Sequence, residues 1–349
     1  MRLICLGDIA IRGPVHDATA WPRPLLNLVE QEQSYILFNW EFPCGEVCEP
    51  RPRPGGGPRR IASPKSVELL RGWAPAVAAL ANNHLMDAGA AGVAQTVAAL
   101  HDVGISSVGG GVSSHGVSKP WIWETEEGRL GVLNWVTAET HPDSPDATGV
   151  GPNLWPGDKV AAIQIADLRR CVDWVVVYLH WSDERFSFPR PADRGMARRL
   201  IAFGADAIIS CHPHVVRGVE EIDGRPVFYS LGNYFIGNVS SPAGGGPLRH
   251  PSREREALVV ELRFRRGKPL AWRLHSYWRA TLATYPDPQH RAGSRVARLS
   301  RPFRFSDYDA WYERKSRRFW RWGYRWHFRF PVLGWRGTLA WLFRAGQYP

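Results

Sequence analysis

Long hydrophobic runs are missing from this chain. Nowhere in its 349 residues do 18 apolar residues follow one another, and the opening MRLICLGD reaches an aspartate after a short apolar stretch. The sequence therefore predicts neither a spanning helix nor a cleavable signal, and places the protein in the cytoplasm, at most peripheral to the inner face of the membrane. Cysteine is scarce too. The five, Cys5, Cys44, Cys48, Cys171 and Cys211, are odd in number and lack zinc-finger spacing, which favours reduced thiols. The pair within CGEVC leaves a local disulfide or a metal clip open. No internal repeat appears, so repeat architectures are excluded. Acidic residues are rare at the C-terminal end. Residues 301–349 hold eleven Lys and Arg against three Asp and Glu, so +8 of the net +11 sits there and the body carries only +3. Net charge alone gives the body no reason to bind a polyanion.

What is present suits a folded protein: 44% hydrophobic and 22% charged residues, in a chain long enough for one large domain or a domain with an appendage. Short apolar runs read as buried strands: RLICLG, SYILFNW, AVAAL, RLGVLNWV, WVVVYL, ADAIIS and PVFYSLG. Helical patterns lie between some of them. SPKSVELLRGW opens with a Ser-Pro start, AGAAGVAQTVAALHDVG stops on glycine, and PADRGMARRLIAFG has a proline near its start and a glycine at its end. The alternation predicts an α/β protein with its sheet covered on both faces. EALVVELRF and LAWRLHSYW follow each other without a helix and suggest an antiparallel edge. The Gly-, Pro- and Arg-rich stretches 48–60 and 241–256 read as solvated surface loops or as mobile covers over a cleft, since each follows a candidate site motif.

Those strands share a feature at their C-terminal ends. RLICLGD ends at Asp8, and YILFNWE at Asn39 and Glu41. AVAALANNH ends at Asn83 and His84, with Asp87 one turn on. WVVVYLHWSDE delivers His180, and DAIISCHPH delivers His212 and His214. In an open α/β sheet such ends converge on one edge, where ligands bind. Mixed carboxylate, amide and imidazole groups suit Mn, Fe or Zn. A pair of such ions would clamp a phosphoryl group and acidify a water, with Glu41 as the carboxylate between them. An extended His-Pro-His segment would point His212 and His214 to the same side. Taken singly, each residue has a structural reading as well: a satisfied histidine, a helix cap at Asn83, a turn at Asp8.

GD at 7–8, NWE at 39–41, ANNHLMDAG at 81–89, LHWSDE at 179–184, CHPHVVRGVE at 211–220 and YSLGNYFIG at 229–237 resemble, in order, the blocks of the CapA family. These are bacterial capsule and poly-γ-glutamate synthesis proteins whose fold is similar to that of calcineurin-like metallophosphoesterases. The resemblance covers about residues 1 to 240. It implies a four-layer α/β/β/α sandwich over 1–285, with a helical, aromatic-basic extension over 286–349. It also implies one or two divalent transition-metal ions (Mn, Fe or Zn) on Asp8, Glu41, Asn83, His180, His212 and His214. His84, oriented by Asp87, would protonate the leaving group. Asn233, within SLGNYF, is a candidate for the cleft rim. Two positions depart from the wider superfamily. Ala10 stands where a histidine is usual, and the bridging carboxylate is a glutamate in NWE rather than an aspartate in a Gly-Asp block. Both bear on the first metal position, so one ion, or two of unequal affinity, is implied.

In the extension, Arg314, Arg318, Arg321, Arg325 and Arg329 fall at helical spacing. Trp322, Trp326 and Phe330 flank that stripe on one side, and Trp320, Tyr324 and Phe328 on the other. Such a surface suits an anionic membrane, or packs as a brace on the body. No motif for RNA or DNA accompanies it, so no nucleic-acid partner is expected. The resulting expectation is a metal-dependent hydrolase of a phosphoester or related bond, acting on a phosphorylated small molecule or an anionic polymer in exopolymer synthesis. The alternative is a non-catalytic, peripherally membrane-associated subunit that binds polymer or a synthase partner.

Overall fold

A strand buried on both faces needs cover on both sides. Arg2–Ala10 (β1) is such a strand, buried at every residue after Arg2. The computed structural model describes residues 1–11, 34–46, 49, 51–73, 75–236, 251–280 and 284–324. Within them β1 runs parallel to Ser34–Trp40 (β2), which runs parallel to Ala76–Ala79 (β3) and on to Ile105–Val108 (β4). A two-residue ribbon pairs Gly110–Gly111 (β5) with Gly151–Pro152 (β8). A second sheet contains Trp121–Thr125 (β6), Gly128–Val136 (β7), Trp174–His180 (β9), Ala207–Cys211 (β10), Val219–Ile222 (β11) and Arg225–Phe228 (β12), in the order β11-β12-β10-β9-β7-β6. Its four central strands are parallel and its two edges antiparallel. Asn233–Ile236 (β13), Glu256–Arg263 (β14), Ala271–Arg279 (β15) and Thr284–Pro286 (β16) return to the first sheet. There β14 pairs with the start of β1 and β13 with its end, and β14 and β15 form the expected antiparallel pair.

The two sheets pack face to face. Leu3 and Cys5 of β1, Val77 of β3, Val176 and Tyr178 of β9, Ile209 of β10 and Val260 of β14 interleave between them. Gly89–Asp102 (α1) covers the outer face of the first sheet, with Val93 and Leu100 against Ile36 and Phe38. The short Ser114–Ser118 (α2) follows β5. Asp158–Arg169 (α3) and Pro191–Phe203 (α4) cover the second sheet through Ile165, Leu168, Leu200 and Ile201. The result is the expected α/β/β/α sandwich. SPKSVELLRGW forms only a 3₁₀ segment, Pro64–Leu70, whereas α4 stops at Gly204 in a left-handed conformation, as its glycine signal predicts.

Beyond residue 285, Arg291–Ser300 (α5) places Ala292 and Val296 in the inter-sheet core. Tyr308–Arg318 (α6) packs Tyr308 and Tyr312 against Phe186 and Val215, joined by Phe319. The first part of the aromatic-basic segment is therefore a brace on the body. Arg325, Trp326, Phe328, Arg329 and Phe330 lie outside the described residues, as does Cys48. Among the described residues no helix is long and apolar enough to cross a membrane.

Candidate metal centre

Gly7 allows the site to form. A Cβ there would lie 1.9 Å from the Gly232 carbonyl oxygen, so only glycine permits the approach. The next residue's N–H, that of Asp8, donates to that oxygen at 3.1 Å. The GD block and the SLGN block are thus two halves of one contact between β1 and β13. It sets Asp8, fully buried, at the C-terminal end of β1.

Beside Asp8, β2 places Asn39 in register and delivers Glu41 just past its end. Asn39 Nδ2 donates to Asp8 Oδ1 at 2.9 Å and to Glu41 Oε2. After β3 the chain turns through ANNH. Asn83 Oδ1 lies 3.0 Å from His180 Nε2, at the end of β9. His212 Nδ1 approaches the same His180 Nε2 at 3.0 Å, and Glu41 Oε1 lies 4.0 Å from it. Glu41 Oε1 is buried and has no hydrogen-bond partner among the described residues. His214 Nδ1 is 3.3 Å from Asp8 Oδ2 and 2.8 Å from Asn233 Oδ1. The structure therefore brings Asp8, Glu41, Asn83, His180, His212 and His214 into one cluster, drawn from both sheets.

The His-Pro-His segment is not extended, contrary to expectation. His212 and His214 both have positive φ, 90° and 57°, and the chain coils to bring both rings to the cluster. Such backbone is uncommon outside glycine and tends to gather at functional sites. His84 Nδ1 and Asp87 Oδ2 are 2.5 Å apart, as the motif suggested.

Several neighbours were not legible in the sequence. Arg53, Arg59 and Arg60 come from the Gly-Pro-Arg stretch read as a surface loop or a cover over a cleft. Arg53 and Arg59 are nearly buried there, their side chains 8% and 5% exposed. Arg53 Nη2 donates to the Asn83 carbonyl at 2.8 Å, and its Nη1 lies 3.4 Å from His84 Nε2. Arg59 pairs with Asp143 at 2.9 Å, and the Arg60 N–H donates to Asp87 at 2.7 Å. Asp8, His180 and Cys211 also bring ligand-type atoms within 4.8 Å of one another. Cys211 Sγ lies behind His180, 3.3 Å from Nδ1. Burial, then the Asp8 and Glu41 charges, push its thiol well above the usual value, so it keeps its proton and backs the ring.

Burial dominates the electrostatics. It pulls His212 down to about 3 and, helped by His212, holds His180 well below the usual imidazole value. Both rings are therefore neutral, with lone pairs to offer. Burial and the Asp8 charge push Glu41 well up. Burial works against the charged form of Asp8, but hydrogen bonding and charge from His214 hold that carboxyl below its ordinary range. Burial also opposes the His214 imidazolium, yet Asp8, then Glu41 and Glu184, lift it to about 10. Burial, partly offset by Asp87, lowers His84. Two neutral imidazoles, an amide oxygen and a carboxylate oxygen left without a donor form a set that fits a borderline divalent cation. A cavity of about 290 Å³ adjoins it, lined by Glu41, Arg53, Arg60, His84, Glu184 and His214 among others.

Comparisons with known proteins bear on the family and the fold. The family described as bacterial capsule synthesis protein PGA_cap matches residues 2–238. The chain is 33% identical over 181 residues to a probable polyglutamine synthesis accessory protein of Mycobacterium tuberculosis, covering 49% of this chain and 47% of that protein. It is 32% identical over 178 residues to the PGA biosynthesis protein CapA of Bacillus subtilis, covering 49% and 45%. The chain thus spans about half the length of the curated relatives it matches. Among solved structures, a novel phosphatase of Mycoplasma pneumoniae shares the fold at 13% identity with a TM-score of 0.50, over 83% of this chain and 95% of that one. With its match over more than half of the sequence, the chain belongs to the PGA_cap family of bacterial capsule synthesis proteins.

Proposed function

We propose that this chain is a metal-dependent hydrolase of a phosphoester or related bond, serving synthesis of an anionic exopolymer of the poly-γ-glutamate type. One observation carries the reading: Glu41, Asn83, His180 and His212 meet in a buried cluster where Glu41 Oε1 lacks a hydrogen-bond partner among the described residues. A buried carboxylate oxygen without a donor is costly, and a cation at that point offsets the cost. These four residues would hold a Mn, Fe or Zn ion, with Asp8 and His214 beside them. When bound, such an ion supplies Lewis acidity toward a phosphoryl oxygen and acidifies water.

The protein's own groups do the rest. Asp87 fixes the Nδ1 side of His84, so Nε2 faces the cavity and Arg53 Nη1 and is the position at which a proton would be taken up and passed to a leaving group. A lowered pKa makes the protonated ring the stronger donor. Arg53 and Arg60 bring positive charge to the same cavity, which suits a phosphorylated or polyanionic substrate. Turnover of an aryl phosphate by the Mn²⁺-loaded protein, compared with His212→Ala, tests the reading. Loss of a metal-holding imidazole is expected to lower kcat/KM by about 100-fold or more. No turnover of phosphomonoesters or diesters by metal-loaded wild type would sink it in favour of a non-catalytic, polymer-binding subunit.

The helix at the C-terminal end supports peripheral attachment to the inner face of an anionic membrane. Trp320 and Trp322 are 44% and 61% exposed beside the exposed Arg317, Arg318 and Arg321.

A further inference from the structure

Every hydrogen bond around Asp8 and Asn39 has a direction that the backbone dictates. The Trp40 carbonyl can only accept, and Asn82 Nδ2 reaches it at 2.8 Å. The His84 N–H can only donate, and Asn82 Oδ1 receives it at 2.9 Å. The orientation of the Asn82 amide is thereby settled, and its Nδ2 also meets Asn39 Oδ1 at 3.1 Å. Asn39 must then aim its own NH₂ group the other way, at Asp8 Oδ1 and Glu41 Oε2. An N–H donor group occupies the space between the two carboxylates.

The other side of Asp8 is determined in the same manner. Asn233 Nδ2 faces two carbonyls, those of Glu254 at 3.1 Å and His214 at 3.3 Å. Its Oδ1 therefore faces His214 Nδ1, and that nitrogen carries a hydrogen. The same Nδ1 lies 3.3 Å from Asp8 Oδ2, which also receives the His212 N–H at 3.2 Å. Three N–H groups thus surround a carboxylate that has about four lone-pair directions. Ala10, one side-chain repeat beyond Asp8 on β1, is buried and offers no donor atom.

A two-ion centre needs Asp8 and the bridging carboxylate to turn lone pairs toward a shared cation ~3.5–4 Å from the other. Here those lone pairs meet hydrogens. Resting on the metal-dependent reading above, we infer that the centre holds a single divalent ion, on Glu41, Asn83, His180 and His212, and that Asn39 and His214 fill the place of a second. Asp8 is then a positioning residue. It ties β1 to β2 and to the His212–His214 turn, while Asn82 aims Asn39. The two asparagines of ANNH divide the work: Asn82 orients the hydrogen-bond chain and Asn83 faces the ion.

Metal counting tests this without any turnover. Full-length protein stripped by a chelator is titrated with Mn²⁺, followed by calorimetry and electron paramagnetic resonance. One equivalent per chain, with the hyperfine pattern of an isolated ion, is expected. Asn39→Asp replaces the donor with a carboxylate and is expected to admit a second, spin-coupled equivalent. Asp8→Asn is expected to weaken uptake about 10–100-fold, as outer-shell support does, with the count still at one. His180→Ala is expected to abolish saturable uptake. Two coupled ions in wild type, or loss of all binding in a folded Asp8→Asn protein, overturns the inference and leaves the hydrolase reading standing. No uptake by wild type overturns both. One ion without turnover upholds the inference and removes the hydrolase.

Discussion

His214 holds a proton between Asp8 and Asn233, and that proton couples the fold to pH. Its folded pKa of about 10 lies above the ordinary imidazole value of about 6.5. A group raised on folding contributes stability that is complete below the unfolded pKa and is lost as pH rises through the folded one. Metal-free protein should therefore lose melting temperature between pH 6.5 and pH 10, by roughly 2–4 °C for each kcal/mol forfeited. His214→Gln should flatten that slope in parallel thermal scans. An unchanged slope would mean that the pair contributes nothing. Single residues of this kind were partly legible. Asp8, Glu41, Asn83, His180 and His212 each stand directly behind an apolar run, so strand-end placement marks them. Asn39 and Asn82 stand at strand ends as well, but placement does not reveal their role, because their orientation depends on a contact across 43 positions.

Arg59 anchors the 51–60 segment to the site. Besides Asp143 and Asp87, it donates to the carbonyls of Arg51 at 2.7 Å, Met86 at 3.1 Å and Pro52 at 3.2 Å. Removing one partner of a nearly buried ion pair typically costs about 3–5 kcal/mol. Arg59→Ala should lower the unfolding free energy by roughly 3 kcal/mol in urea and hasten proteolysis within 51–60. Proteolysis at the wild-type rate would show that the segment is held by other means. The sequence could not announce this element. Gly-Pro-Arg composition has no apolar period, and the acids that pin it come from positions 87 and 143. The strands, by contrast, announced themselves through runs of β-branched and aliphatic residues. α3 did not, since its buried Ala161, Ile165 and Leu168 are diluted by Gln, Asp and Arg.

Over the whole molecule, the C-terminal brace and the proposed membrane surface are separable. Tyr308, Tyr312 and Phe319 are buried on Phe186 and Val215, whereas Trp320 and Trp322 face solvent. Arg194 strengthens the brace, lying 4.1 Å from the Tyr308 ring centroid and pairing with Glu220. A chain ending at Phe319 should melt within a few degrees of the full protein. It should also lose at least about tenfold in co-sedimentation with anionic vesicles, where aromatic anchoring and basic charge both count. Equal partition of the two chains would sink the membrane attachment. The four-layer arrangement was readable from strand-helix alternation joined to the resemblance of ordered blocks. The fusion of α5 with the inter-sheet core was not, because that contact depends on where β14 and β15 lie.

The seat of Asp8 on its two late partners has a consequence for biosynthesis. The His212 N–H that it accepts is 204 positions away, and the glycine carbonyl that its own N–H meets comes later still. β1 can join β2 early, yet its other edge stays open until β13 and β14 have left the ribosome. An open, apolar edge of this kind invites wrong pairing in the interval. A nascent chain halted before residue 233 would thus hold Glu41, Asn83, His180 and His212 but lack β13, the strand that fixes Asp8 and the end of β1.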